Sequence, residues 1–82
     1  MDLEKATKLL SEAEENYNDK TYAHFIGWVN SFNGSEEGKI VRLIYDFIDS
    51  RHKKPSTMVW RIDKFREEQI LDYLSNNLPQ QS

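Results

Sequence analysis

The chain contains no cysteine. That absence excludes disulfide frameworks, thiolate zinc sites, iron–sulfur clusters and thiol catalysis. Proline and glycine are scarce, with two and three copies in 82 residues. With 38% hydrophobic and 30% charged residues, the composition is that of a globular domain, not of a disordered, fibrous or membranous chain. No apolar run approaches the roughly 18 residues of a membrane span. The opening Met1-Asp2-Leu3-Glu4-Lys5 lacks the apolar stretch of a signal peptide, so a cytoplasmic location is expected and no membrane partner. Internal repeats and low-complexity tracts are also missing from the sequence.

Several catalytic and ligand-binding patterns are absent as well. The two histidines, His24 and His52, have no second histidine or Glu-x-x-His arrangement to make a zinc, haem or di-metal site. His24 falls at the edge of an apolar helix face and reads as a boundary residue. His52 lies in a basic run, where neighbouring charge disfavours its protonation. The segment Asn33-Gly34-Ser35-Glu36-Glu37-Gly38 has two glycines but not the lysine and spacing of a phosphate loop, nor the alternating acids of an EF-hand. The acidic pairs Glu14/Glu15 and Glu68/Asp72 read as solvated faces. So short a chain has little room for a substrate pocket. No catalytic residue, metal ligand or cofactor is expected, and the protein is read as a non-enzyme.

What is present is helical periodicity. Leu3, Ala6, Leu10, Ala13 and Tyr17 recur at spacings of three and four, widened by Leu9, and span an arc of roughly 120°. Asp2 is placed to cap this first helix, 3–17. Asp19 or Thr21 can cap a second, about 20–32, whose face carries Tyr22, Phe25, Ile26, Trp28, Val29 and Phe32. Gly27 within it implies the close approach of another helix, and Asn33-Gly34 is a stop signal. Ser35 caps a third helix, about 36–51, with Ile40, Val41, Leu43, Ile44, Phe47 and Ile48 inward. Asp63 caps a last helix, 64–77. The segment 57–62 is either extended or continues that helix. A single helix there would need two opposed apolar faces, Met58/Ile62/Phe65 and Ile70/Leu71/Leu74/Leu78, roughly 160° apart, so a break near Asp63 is favoured. The expected architecture is an all-α bundle of three to four helices, one domain over 1–78 with a tail at 79–82, its neighbouring helices roughly antiparallel.

Charge is distributed unevenly. Residues 1–37 carry eight acids and three bases, net −5, whereas 51–66 carries six bases against Asp63, net +5. Two binding functions follow. The first is a small protein-binding regulator, inhibitor or adaptor acting through a helical surface, since aromatics with a nearby arginine, such as Trp60 beside Arg61, are common interface anchors. The second is nucleic-acid binding through the basic segment, loosely like a helix-turn-helix. A sequence pI of about 5.3 and the acids Glu67, Glu68 and Asp72 on the last helix argue against the second. The candidate binding residues in either case are Arg51, His52, Lys53, Lys54, Trp60, Arg61, Lys64 and Arg66. A homodimer is the remaining partner considered, because so small a core is only marginally self-sufficient.

Overall fold

The computed structural model describes residues 3–52 and 61–77. These form four helices and no strand among the described residues: α1 (Leu3–Tyr17), α2 (Tyr22–Asn30), α3 (Glu37–His52) and α4 (Lys64–Asn77). The all-α bundle expected from periodicity is the observed architecture. Residues 57–60 and 78–82, including the tail and Leu78, lie outside the described residues.

Local chemistry explains the helix ends. The chain leaves α1 through Asn18 and Asp19, the latter at φ 60°, a left-handed conformation that Asp tolerates better than most residues. Thr21 then sits in extended backbone and its side chain accepts from the His24 amide at 3.1 Å. This makes Thr21 the cap and starts α2 at Tyr22 instead of residue 20. α2 gives way after Asn30 to tight turns, Phe32 N to Val29 O and Asn33 N to Asn30 O, closed by Gly34 at φ 86°. Asp63 opens α4. Its carboxylate accepts from the Arg66 amide at 2.9 Å and its carbonyl from the Glu67 amide at 2.8 Å. Arg61, Ile62 and Asp63 are not helical, so this end of 57–62 does not continue the last helix.

The core is one cluster drawn from all four helices: Ala6, Leu9, Leu10, Ala13 and Tyr17 from α1, Phe25 and Val29 from α2, Ile40, Val41, Ile44, Phe47 and Ile48 from α3, and Ile70 and Leu74 from α4. Ile62 joins it from the non-helical segment. Leu3 does not. It is 53% exposed, because the apolar stripe of α1 runs beyond the helices that cover it.

Ion pairs and side-chain contacts fix the helix directions. Lys5 pairs with Glu37 at 3.7 Å, which puts the starts of α1 and α3 side by side and makes these two helices run in the same sense. α2 returns between them. Its Tyr22 hydroxyl donates to Asp49 near the end of α3. α4 begins beside the carboxyl half of α1, through Ile62 and Glu67, and its Tyr73 ring packs edge-on to Phe47 of α3 at 5.4 Å. It therefore bridges the carboxyl halves of α1 and α3.

The glycines correct one expectation. A Cβ on Gly27 would meet nothing within 4 Å, so no described helix makes the close approach expected there. Gly38 is the constrained position: a Cβ would lie 2.5 Å from the Phe32 carbonyl oxygen. That oxygen also accepts the Ser35 hydroxyl at 2.6 Å, and the Ser35 oxygen in turn accepts the Gly38 amide at 3.1 Å. Gly27→Ala is expected to stabilise the fold by about 0.5–1 kcal/mol, the ordinary gain in an exposed helix. Gly38→Ala is expected to cost about 1 kcal/mol through forced overpacking against backbone. Urea unfolding of the two variants checks the opposite signs.

Candidate docking surfaces

Two surfaces stand out, and the first lies on α2 and α3. α2 packs on α1 and α3 but not on α4, so its outer flank is left uncovered by the other described helices. Phe25 is fully buried at its centre. Around it, Trp28 stacks at 5.9 Å, Tyr45 at 6.5 Å, Tyr22 lies tilted at 6.0 Å and Tyr17 meets its edge at 5.2 Å. Phe32 continues the row, edge-on to Trp28 at 5.2 Å. Tyr22, Trp28, Phe32 and Tyr45 are each only partly buried against the core. Arg42 lies over the Tyr45 ring at 5.4 Å, a cation–π contact. Burial, and next the hydrogen bond and charge of Asp49, raise the Tyr22 phenol pKa far above its usual value, so Tyr22 stays a neutral donor. The result is a strip of half-buried rings with an exposed guanidinium beside it.

The second surface is the basic region anticipated from the charge count. Lys53, Lys54 and Trp60 lie outside the described residues. His52 is the last residue of α3. Arg51, one residue earlier, folds back on its own helix, with its guanidinium 3.6 Å from the centre of the Phe47 ring and donating to the Ser50 hydroxyl at 2.8 Å. Arg61 pairs with Asp19. Arg66 donates to the Arg61 carbonyl at 2.7 Å. Lys64 is exposed, and next to it Phe65 is 68% exposed. Three of the described arginines thus serve the fold, while Lys64 and Phe65 face solvent together. Net charge along a segment cannot reveal this, since it does not show which cations are engaged elsewhere in the chain.

Two interactions near the start of α4 were not foreseen from the sequence. The Asn18 side chain grips the backbone of Ile62 with both ends of its amide. Its Oδ1 accepts from the Ile62 N–H at 2.9 Å and its Nδ2 donates to the Ile62 carbonyl at 3.0 Å. It satisfies both backbone groups of this non-helical residue. Beside it, Glu14 of α1 shares a hydrogen bond with Glu67 of α4. Burial first, then that hydrogen bond and the Glu67 charge, push the Glu14 carboxyl up to about 7. Reading Glu14 and Glu15 together as a solvated face is right for exposed Glu15 and wrong for half-buried Glu14. Glu68 and Asp72 are exposed, as expected.

Two open depressions lie among the described residues. An open depression of about 320 Å³ lies between α3 and α4, bordered by Phe47, Arg51, Asp72 and Tyr73. A wider open trough of about 700 Å³ follows Glu14, Asn18, Asp19 and Lys20. Neither brings a hydroxyl or thiol beside a histidine. His24, exposed on α2, contacts the Asn16 side chain at 3.0 Å instead. Among the described residues no three histidine, aspartate or glutamate side chains gather as a metal site, and no helix is long and apolar enough to cross a membrane. Searches of protein-family models, curated proteins and solved structures found no match to this chain.

Proposed function

We propose that this chain is a small non-enzymatic protein-binding regulator, inhibitor or adaptor that docks through its helical surface. The observation that carries the reading is the α2–α3 strip, whose α2 flank no other described helix covers, where Tyr22, Trp28, Phe32 and Tyr45 are half-buried and Arg42 lies over Tyr45. Tyrosine, tryptophan and arginine dominate the energetics of protein interfaces because they offer large contact area at low conformational cost. Rings already braced by Phe25 would lose little further freedom on binding. The partner is therefore another protein with an apolar, partly acidic contact patch to match the rings and Arg42.

The variant Arg42→Glu/Tyr45→Ala tests the reading. It is expected to lose partners retained by the wild-type chain from lysate while keeping its helical circular dichroism. Retention of the same partners by the folded variant would contradict it.

Nucleic-acid binding through Arg51, His52, Lys53, Lys54, Trp60, Arg61, Lys64 and Arg66 is the second reading. It is favoured by Phe65, an exposed ring beside exposed Lys64 that a base could stack on. The engagement of Arg61 with Asp19 and of Arg66 with a backbone carbonyl weighs against it. Oligonucleotide binding that falls steeply between two salt concentrations would support this reading over the first.

A further inference from the structure

The turn between α2 and α3 carries the dipeptide Asn33-Gly34. An asparagine can react with its own backbone. The amide nitrogen of the next residue attacks the side-chain carbonyl carbon, Cγ, and closes a five-membered imide. Glycine in the next position puts no Cβ in the way. The route needs a side chain free to swing and a following N–H that is not held by an acceptor.

The fold denies this to the other asparagines, Asn16, Asn18, Asn30, Asn76 and Asn77. The Asn16 amide donates to the Glu12 carbonyl at 2.8 Å, and Asn18 holds Ile62. Asn76 and Asn77 donate to the carbonyls of Asp72 and Tyr73 at 3.0 and 2.8 Å. Asn30 ends α2, and the next N–H, that of Ser31, donates to the carbonyls of Gly27 and Trp28 at 3.1 and 3.2 Å. Asn33 and Gly34 are both exposed. Among the described residues neither the Asn33 side chain nor the Gly34 N–H makes a hydrogen bond.

We propose that Asn33-Gly34 is a site of spontaneous isoaspartate formation, a slow chemical timer built into the α2–α3 turn. The Gly34 nitrogen gives up its proton and bonds to Asn33 Cγ. The bond from Cγ to the side-chain nitrogen breaks, and ammonia leaves. Water then opens the imide. Cleavage between the Asn33 main-chain carbonyl carbon and the Gly34 nitrogen leaves the peptide running through Cγ, with a free α-carboxylate: isoaspartate. Cleavage at Cγ gives aspartate instead.

Isoaspartate adds one methylene to the main chain between Phe32 and Ser35. That stretch has no slack. The Phe32 carbonyl oxygen accepts the Ser35 amide at 3.1 Å and the Ser35 hydroxyl at 2.6 Å. A Cβ on Gly38 would lie 2.5 Å from the same oxygen. A longer backbone cannot keep all three relations, and the Ser35 hydroxyl oxygen that accepts the Gly38 amide moves with them. The entry to α3 is loosened.

Incubation of the full chain at 37 °C and pH 8 tests the site. Isoaspartate is counted by transfer of a labelled methyl group with a purified isoaspartate carboxyl methyltransferase and located by peptide mass spectrometry. Conversion at Asn33 is expected to be at least about tenfold faster than at any other asparagine, a difference of about 1.4 kcal/mol in barrier. Asn33→Gln, which would need a six-membered ring, should accumulate none at this position. Asn33→Ser removes the reactive amide as well and guards against a folding defect in the first variant. The purified isoaspartate form should melt about 4–8 °C below the fresh chain, the shift of about 1 kcal/mol in a domain of this size. Both variants should hold their fresh Tm after the same incubation. Three results would overturn the proposal: conversion at Asn33 no faster than elsewhere, equal isoaspartate in the two variants and the wild-type chain, or an unchanged Tm in the isoaspartate form.

Discussion

Phe25→Ala is expected to unfold this protein or bring it close to unfolding. The Phe25 side chain has no exposed surface and is bordered by Tyr17, Tyr22, Trp28 and Tyr45. Truncating a buried phenylalanine costs about 3–5 kcal/mol in lost transfer energy and cavity formation. A domain of 82 residues has roughly 4–12 kcal/mol to lose, at about 0.05–0.15 kcal/mol per residue. The cavity cannot collapse easily, because the surrounding rings are rigid and four of them rest on this one. Thermal unfolding followed by circular dichroism should show a fall in Tm of at least about 15 °C. A fall below about 5 °C would mean that the ring cluster is looser than the contacts indicate, and the idea of a braced aromatic strip would weaken with it.

Asn18→Ala is the second large effect. Asn18 is a turn residue, and its replacement leaves the packing of α1 almost untouched. It leaves the Ile62 N–H and carbonyl without their partner at a part-buried position. An unsatisfied buried polar group costs about 1–3 kcal/mol. Water reaches this site in part, so a total near 2 kcal/mol is expected, or roughly 10 °C in Tm. The loss should be local as well as global. Ile62 is 3% exposed, and releasing its backbone should increase hydrogen exchange at 61–63 and in the first turn of α4 before it affects α3. Asn18→Asp separates the two bonds, since a carboxylate can still accept from the Ile62 amide but cannot donate to its carbonyl. It is expected to fall between the wild-type chain and the alanine variant.

Much of this fold can be read from the sequence because its signals are short-range. The spacing of Ala6, Leu10, Ala13 and Tyr17, the caps at Thr21, Ser35 and Asp63, and Gly34 after α2 each involve residues within a few positions of one another, and a helix is decided at that distance. The conflict between two apolar faces likewise located the break before Asp63. What escaped was what faces each residue across the bundle. A glycine records that a side chain is missing without saying what stands opposite, so Gly27 drew an explanation that belongs to Gly38. Leu3 carries the periodicity of α1 past the end of its cover. Glu14 and Glu67 look like solvated acids until the chain brings them together, and Asn18 looks like any turn residue until Ile62 arrives beside it.

The candidate binding residues follow the same division. The segment 51–66 is strongly basic in sequence, but Arg51, Arg61 and Arg66 are directed at Phe47, Asp19 and the Arg61 carbonyl. The aromatic strip of α2 and α3 gave one sequence signal, the crowding of rings between Tyr22 and Phe32, which reads equally well as core. Only the absence of another described helix over the outer flank of α2 distinguishes a braced surface from an interior.

Hydrogen exchange of the chain with and without a purified protein partner tests the docking reading most directly. The account requires new protection in α2 and in the part of α3 around Arg42 and Tyr45, with the amides of 61–66 unchanged. Protection centred on 51–66 with α2 unaffected would contradict it.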